Sequence, residues 1–199
     1  MAKVEDVVEL ERFLPDSYAD VLEQLLCRSG DFLWQYNAST NDLNAPEIMN
    51  RDARSYDADQ FVHAFYQQGE RRLAFFDLVF PMFYFMEDKT GVALKSVERM
   101  KANLLVQKAH EDGTYNTPHI DIPDAGFKSL LYYVKDSDGD TFLFNETFRD
   151  KKDLTVRKRV APRKGKAVLF DSNIWHASSH PRENPTRVVL NFIFSYTVK

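Results

Sequence analysis

The sequence predicts a mainly β fold supported by helices at its N-terminal end. From about Val97 onward, short runs rich in Val, Leu, Phe and Tyr alternate with clusters of Gly, Pro, Asp and Asn, which is typical of strands and their turns. The segments DSDGD and PRKGK are suited to tight connections between such strands. The first half instead repeats its apolar residues at helical spacing. Together these patterns predict an antiparallel barrel or sandwich with a helical flank.

Helices are predicted in three segments of the first half. PDSYADVLEQLLCRSG begins with a proline and acidic residues and ends at a glycine, as helices often do. DADQFVHAFYQQG and RRLAFFDLVFPMFYFMEDKTG carry long apolar faces, and Pro81 should interrupt the second of them. In the first helix, the residues predicted to share the buried face are Val21, Leu22, Leu25 and Leu26.

Strands are predicted throughout the second half. The candidate segments are VERMKANLLVQKA, TPHIDI, FKSLLYYVK, TFLF, LTVRKRVA, KAVLF and RVVLNFIFSYTV. Runs such as TFLF and KAVLF are too short for stable helices. We therefore expect a single domain over residues 1–199, with mostly helical support in 1–96 and a β core in 97–199.

Composition and charge exclude several classes of protein. The chain has 199 residues, 44% of them hydrophobic, and a net charge of -4, which predicts a compact fold and argues against bulk binding of nucleic acid. The basic run RDKKDLTVRKRVAPRKGK is interrupted by acids and apolar residues, which favours a solvated surface over a phosphate-binding patch. Because every apolar run is explained as core, the sequence indicates no oligomeric state.

Cysteine usage and the N-terminus predict a cytoplasmic protein. The single cysteine, Cys27, can form no internal disulfide and is interpreted as a buried small hydrophobe. The first residues, MAKVEDVVELERFLPD, carry acids where a secretory signal would need an apolar run, and no stretch is long and apolar enough to cross a membrane.

His119, Asp121 and His176 are the candidate metal ligands. In an extended TPHIDI segment, positions 119 and 121 point to the same side. A closed antiparallel fold can return His176 beside them. Two imidazoles and one carboxylate can occupy one face of an octahedral Fe(II) and leave the other face open, which is the geometry of non-haem iron oxygenases. The alternatives are unrelated surface residues, or a structural metal in a non-catalytic binding module.

Arg187 is the candidate anion-binding residue. It opens the apolar run RVVLNFIFSYTV, where a buried guanidinium would need an anionic partner such as a dicarboxylate. Alternation along the strand places Asn191 on the same face. Asn191 is therefore either a polar group of the cavity or a buried amide satisfied by backbone.

In residues 97–197 the chain resembles the 2-oxoglutarate and Fe(II)-dependent dioxygenases, and among them the prolyl 4-hydroxylase-like branch with its small phage and bacterial members. The resemblance depends on the order of ERMKANLLVQ, TPHID, FKSLLYYVK, DGDTFLF, VAPRKGKAVLFDSNIWHAS and the arginine of TRVVLNFIFSY. It implies a double-stranded β-helix, the cupin-like jelly roll, as the core over 97–199.

The resemblance also implies roles for individual residues. It makes His119, Asp121 and His176 the iron ligands and Arg187 the partner of the distal carboxylate of 2-oxoglutarate. Tyr133 matches the tyrosine that assists this arginine. Gln107 lies where related hydroxylases often have a tyrosine near the metal-side end of the cosubstrate, and Asn191 is a further candidate contact. Fe(II), 2-oxoglutarate and O2 are the implied cofactors, with ascorbate as an optional reductant.

The implied activity is hydroxylation of an unactivated C–H bond, with release of succinate and CO2. A prolyl or other peptidyl residue is the first expected substrate, and a free amino acid, another small metabolite or a nucleobase is the alternative. The polar loop between Asn37 and Arg54 and the residues around Tyr115 are candidate lid elements, because substrate choice in such enzymes depends on loops at the cavity rim.

Overall fold

The computed structural model describes residues 7–40, 49–50, 52–56, 58–72, 75–148 and 153–198. Its helices are α1 (Asp16–Arg28), α2 (Phe76–Val79) and α3 (Met82–Thr90). Its strands in the first half are β1 (Val7–Leu10), β2 (Gln35–Asn37), β3 (Ser55–Tyr56), β4 (Gln60–Gln67) and β5 (Glu70–Arg71). Those that follow are β6 (Val92–Val106), β7 (Tyr115–Asn116), β8 (Phe127–Tyr133), β9 (Thr141–Thr147), β10 (Val156–Val160), β11 (Ala167–Asp171), β12 (Ile174–Ser178) and β13 (Thr186–Val198).

Two antiparallel sheets form the β core, as the predicted mainly β jelly roll requires. Among the described residues, the larger sheet has the strand order β1-β11-β8-β13-β6-β4-β2, with β5 paired to β4. The smaller sheet has the order β10-β9-β12. Strands β3 and β7 form a separate parallel pair. The long strand β13 pairs with both β6 and β8 and therefore lies in the middle of the larger sheet.

The two faces of the larger sheet bury different sets of residues. Leu130 and Tyr132 of β8 belong to an apolar cluster with residues of α1 and α3, whereas Leu131 and Tyr133 belong to a cluster with Leu143 of the smaller sheet. Tyr132 and Tyr133 therefore point to opposite faces of the larger sheet. Because side chains alternate along a strand, one face holds the helices and the other lines the space between the sheets.

The helix predictions are confirmed in part. α1 begins after Pro15 and buries Leu22 and Leu26, but Val21 is 50% exposed and does not share their face. Pro81 separates α2 from α3, as predicted. Among the described residues, no helix has the length and apolar character needed to cross a membrane.

The expectation that residues 1–96 are mostly helical is wrong. Within DADQFVHAFYQQG, residues Gln60–Gln67 form strand β4, which lies between β6 and β2 and pairs with both. β1 and β2 are also strands of the larger sheet. Pairing with a distant strand outweighs the helical spacing of this run, whose aromatic and β-branched residues suit a sheet. Of the predicted loop between Asn37 and Arg54, residues 41–48 and 51 lie outside the described residues.

Candidate metal centre

His119 and His176 face each other across a narrow antiparallel bridge. Each backbone N–H donates to the carbonyl of the other residue at 2.9 Å, and the ring centroids are 4.4 Å apart. TPHIDI is thus an isolated bridge and not the strand predicted for it. The Nδ1 atom of His176 lies 3.0 Å from the carbonyl oxygen of Ile174. Since a carbonyl only accepts, this Nδ1 carries the proton and Nε2 keeps its lone pair for a metal.

Asp121 lies beside the two histidines and is held through both carboxylate oxygens. The Arg99 guanidinium donates to Oδ1 at 2.7 Å, and the Ser129 hydroxyl donates to Oδ2 at 2.6 Å. The Oδ2 atom is 3.6 Å from Nε2 of His176. Arg99 comes from β6 and Ser129 from β8, so the larger sheet orients the carboxylate toward the histidines.

Burial and neighbouring charges favour the protonation states that a metal requires. Burial, with the nearby charge of His176, lowers the pKa of His119 to about 3, and burial lowers the pKa of His176 as well. Burial opposes ionisation of Asp121, but the charges of His176 and Arg99 outweigh it and hold the pKa of this carboxyl below its ordinary value. Two neutral imidazoles and an ionised carboxylate are the forms that ligate a metal.

These three residues form a cluster that fits a divalent metal ion. One ligand atom from each of His119, Asp121 and His176 can be chosen so that all three lie within 4.8 Å of one another. No fourth His, Cys, Asp or Glu joins this cluster among the described residues. Three protein ligands of this type suit an octahedral Fe(II) site with positions left for exogenous ligands, and they do not form the closed four-ligand shell of a structural zinc site.

Arg187 lies in the same pocket as the metal cluster. Its side chain is buried, and its Nε donates to the carbonyl of Gly139 at 2.7 Å while Nη2 donates to the Thr141 hydroxyl at 2.8 Å. Among the described residues it forms no ion pair with a carboxylate. A buried guanidinium held by neutral partners has its charge available for an anionic ligand.

Tyr133 is linked to Arg187 through Thr141. The Tyr133 hydroxyl donates to Thr141 Oγ1 at 2.8 Å, and the Arg187 guanidinium carbon lies 5.9 Å from the Tyr133 ring centroid. The hydroxyl of Thr141 therefore accepts from both residues. Tyr133 is near Arg187, as predicted, and Thr141 is the connecting residue that the sequence did not reveal.

Gly139 lies in the connection between β8 and β9 and is required there for close packing. A Cβ atom at this position would lie 2.6 Å from the Ser179 carbonyl oxygen, 2.9 Å from the Pro181 nitrogen and 3.0 Å from Cδ of Arg187. Only a residue without a side chain lets this backbone approach the arginine closely enough to accept its Nε–H.

The structure brings Asn191 into the pocket and leaves Gln107 outside it. Asn191 lines the pocket together with Lys101 and Asn103 of β6. Gln107 lies just beyond the end of β6, is exposed, and donates through Nε2 to the Arg182 carbonyl at 2.7 Å. Its predicted contact with the cosubstrate is therefore wrong, because the chain leaves the sheet before reaching this residue.

Arg99 and Ser129 are the functional residues that the sequence analysis missed. Each lies on a strand two residues before a residue that lines the pocket: Arg99 before Lys101, and Ser129 before Leu131. Strand alternation from Lys101 could have placed Arg99 on the inner face. Its pairing with Asp121 depends on a loop that alternation does not describe.

Other candidate elements have structural roles. Tyr115 is fully buried and its hydroxyl contacts Asp52 at 2.6 Å, so it packs within the fold. His180 is buried, and its Nδ1 lies 2.7 Å from the Val106 carbonyl oxygen. The basic run pairs with acids of other elements, as in the contacts of Lys164 with Asp20 and Glu23 at 2.6 Å.

Comparison with known proteins agrees with this site. Residues 104–195 match the family model described as 2OG-Fe(II) oxygenase superfamily. No curated protein sequence matches the chain.

Several solved structures share the fold. An oxidoreductase of the 2OG-Fe(II) oxygenase family from Burkholderia pseudomallei is 16% identical with a TM-score of 0.64, covering 96% of this chain and 85% of that one. A Pseudomonas putida prolyl-4-hydroxylase is 16% identical with a TM-score of 0.57, covering 96% and 93%. A Trichoplax adhaerens prolyl hydroxylase, solved with a hypoxia inducible factor peptide fragment, is 14% identical with a TM-score of 0.56, covering 96% and 84%.

The matched segment contains the His-Asp-His cluster and Arg187, and the fold around it is shared along nearly the whole chain. Through this core, the chain is similar to the 2OG-Fe(II) oxygenase superfamily, whose cofactors are Fe(II), 2-oxoglutarate and O2.

Proposed function

We propose that the protein is a 2-oxoglutarate-dependent dioxygenase that binds Fe(II) through His119, Asp121 and His176 and hydroxylates an unactivated C–H bond. The observation that carries this proposal is the presence of a three-ligand cluster and a buried, anion-free arginine in one pocket. When bound, Fe(II) with 2-oxoglutarate and O2 supplies the oxidising power, and succinate and CO2 are released. The protein's residues supply binding, orientation and shielding from water.

Arg187 binds the distal carboxylate of 2-oxoglutarate in this proposal. The contacts from its guanidinium to Gly139 and Thr141 fix its plane, which suits paired hydrogen bonds to a carboxylate. Tyr133 secures Thr141 from the other side. Leu131 and Val189 provide apolar walls between the two ends of the pocket.

We propose a prolyl or other peptidyl residue as the substrate, with a free amino acid, small metabolite or nucleobase as the alternative class. Support for a peptidyl substrate comes from the two prolyl hydroxylases among the structural neighbours, one of them solved with a peptide. Thr40 and Gln60 also line the pocket and are candidate contacts of the substrate.

The test is succinate formation from 2-oxoglutarate by anaerobically iron-loaded protein after addition of O2. The wild type should turn over, and His176→Ala and Arg187→Ala should lose turnover, whereas the exposed Arg163→Ala should retain it as a matched control. Failure of the wild type to bind 2-oxoglutarate would overturn the proposal. Stimulation by a proline-containing peptide, compared with free proline and a nucleobase, then identifies the substrate class.

A further inference from the structure

A second pocket, which we call the basic pocket, lies beside the short β3–β7 pair. It is a cavity of about 310 Å³ lined by residues 53–56, 108–111 and Thr114. It shares no lining residue with the pocket of the metal cluster, which we call the metal pocket. Among the described residues that line the basic pocket, three are basic and one, Glu111, is acidic. A space of this size admits a side chain of a bound peptide or a small molecule.

The ring of His110, in the basic pocket, is surrounded by hydrogen-bond acceptors. Its Nε2 lies 2.8 Å from the carbonyl oxygen of His180, and its Nδ1 lies 2.9 Å from the carbonyl oxygen of Glu111. The Thr114 hydroxyl lies 3.0 Å from Nδ1 but donates its own proton to the Glu111 carbonyl. Since a carbonyl oxygen only accepts, both ring nitrogens are satisfied only when both carry a proton. These contacts therefore favour the cationic form of His110.

Lys108 and Arg54 add two exposed cations to the basic pocket. Lys108 forms no ion pair with a carboxylate of the described residues, and its Nζ lies 5.9 Å from the centroid of the Tyr56 ring. Nη2 of Arg54 lies 3.9 Å from Oδ2 of Asp52. That contact is loose, and the same oxygen accepts a hydrogen bond from the Tyr115 hydroxyl at 2.6 Å. Positive charge thus exceeds negative charge in the basic pocket, which indicates an anionic ligand.

Tyr56 lies between the basic pocket and the metal pocket. It lines the basic pocket and pairs with Asn116 in the parallel β3–β7 pair. Asn116 donates through Nδ2 to the Ser178 hydroxyl at 3.1 Å, and Ser178 lines the metal pocket. The Tyr56 hydroxyl also accepts from the backbone N–H of His180 at 3.1 Å. The two pockets are therefore neighbours, and a ligand long enough to cross the β3–β7 pair can occupy both.

We infer that the basic pocket binds an acidic side chain of a peptidyl substrate whose reacting residue lies in the metal pocket. This inference rests on the proposed function. Lys108, Arg54 and His110 supply positive charge for the carboxylate, and the Tyr56 ring supplies an apolar wall for the methylene groups that carry it. An extended peptide can reach both pockets, whereas a free amino acid or a nucleobase fills only one.

The experiment compares two fluorescein-labelled peptides of equal length. One alternates proline with glutamate and the other alternates proline with glutamine, so the two have nearly the same shape and differ in charge. Fluorescence anisotropy measures the Kd of each peptide for the protein loaded with Mn(II) and 2-oxoglutarate under anaerobic conditions.

The variants are Lys108→Gln, Arg54→Gln and the charge-conserving Lys108→Arg. Lys95→Gln is the matched control, because Lys95 is an exposed lysine on β6 that lines neither pocket. All three substituted residues are exposed, and circular dichroism confirms that each variant folds.

A preference for the glutamate peptide that depends on Lys108 and Arg54 supports the inference. The wild type should bind the glutamate peptide about tenfold more tightly than the glutamine peptide. Lys108→Gln and Arg54→Gln should each reduce this ratio about threefold, which is the effect of losing one exposed charge pair. Lys108→Arg and Lys95→Gln should keep the ratio of the wild type.

Equal binding of the two peptides by the wild type, or the same loss of preference in Lys95→Gln, overturns the inference. A free oxyanion is tested by adding sodium sulfate, with sodium chloride of equal ionic strength as the reference. If the peptides bind equally but sulfate raises the melting temperature of the wild type and not of Lys108→Gln, the basic pocket binds a free oxyanion and the assignment to a peptide is wrong. Failure of the wild type to bind 2-oxoglutarate or to form succinate overturns the proposed function instead, and the ratio of peptide affinities is measured without turnover.

Discussion

Nη2 of Arg99 lies 2.7 Å from Oδ1 of Asp121, the only carboxylate in the cluster of candidate metal ligands among the described residues. The other oxygen, Oδ2, accepts from Ser129 and is the one that faces His176. With Oδ1 held by Arg99, Oδ2 would be the oxygen of Asp121 that is available to a bound metal. Arg99 therefore orients the carboxylate of Asp121 so that Oδ2 faces the histidines.

Arg99→Gln should weaken metal binding about 10-fold to 100-fold, the usual cost of losing a group that orients a metal ligand. The remaining Ser129 contact leaves the carboxylate free to rotate. Titration with Mn(II), followed by electron paramagnetic resonance, measures the affinity. Arg99→Lys should recover part of the loss, and the exposed Arg163→Gln should bind like wild type. Equal affinities in Arg99→Gln and wild type would show that Ser129 is sufficient.

Thr141→Val should lower both stability and affinity for 2-oxoglutarate. Valine keeps the shape of threonine but leaves the Tyr133 hydroxyl and one Arg187 donor buried without their acceptor. The expected loss is about 2 kcal/mol in the free energy of unfolding, measured by urea denaturation. Thr141→Ser keeps the hydroxyl and should restore most of the stability. A stable Thr141→Val with a normal Kd for 2-oxoglutarate would contradict the proposed role.

Gly139→Ala should destabilise the protein by about 1–3 kcal/mol, as forced overpacking usually does. The new methyl group would meet backbone atoms of Ser179 and Pro181, which cannot rotate away, and the Arg187 side chain. Thermal unfolding of the metal-free protein measures the change. Gly30→Ala is the matched control, because nothing lies within 4 Å of its added Cβ. Similar melting temperatures for both variants would show that the backbone at Ser179 and Pro181 accommodates the added methyl group without a loss of stability.

Acid should destabilise the metal-free protein below about pH 6.5. Burial and the nearby charge of His176 lower the pKa of His119 from 6.5 to about 3. Between these values the unfolded chain binds a proton that the folded chain does not. The contribution is therefore fully present above pH 6.5 and is lost at about 1.4 kcal/mol per pH unit as the pH falls.

Urea denaturation in the presence of a chelator at pH 7, 6 and 5 measures this loss. The lowered pKa of His176 acts in the same direction. His119→Gln removes one of the two titrating groups and should flatten the pH dependence. The same slope in His119→Gln and wild type would show that His119 does not contribute.

The sequence predicted the β core because its signals are local. Runs such as KAVLF and FKSLLYYVK became β11 and β8, and the glycines and prolines between them mark the turns. The ordered series of motifs also placed His119, Asp121 and His176 together, although strand alternation alone could not define their distances. Pairing between distant segments is what brings these residues within reach.

The sequence predictions fail where contacts between residues far apart in sequence determine the local structure. QFVHAFYQ has apolar residues at spacings that fit a helix, yet β6 and β2 supply hydrogen-bonding partners along both of its edges. Gln107 follows β6 in sequence, but its backbone N–H donates to the Pro185 carbonyl and the chain turns away from the pocket. The role of Arg99 depends on Asp121, which lies on a loop whose path no local pattern specifies.

The central position of β13 separates two functions along a single strand. Val188, Leu190 and Phe192 contribute to the core beneath the helices, whereas Arg187, Val189 and Asn191 line the pocket. Substitutions at Arg187, Val189 and Asn191 can thus alter ligand choice while the hydrophobic packing stays intact. Ligand specificity and stability can therefore change independently of each other, in evolution or by engineering. Loss of one residue from this strand would instead exchange the two sets and destroy stability and ligand binding together.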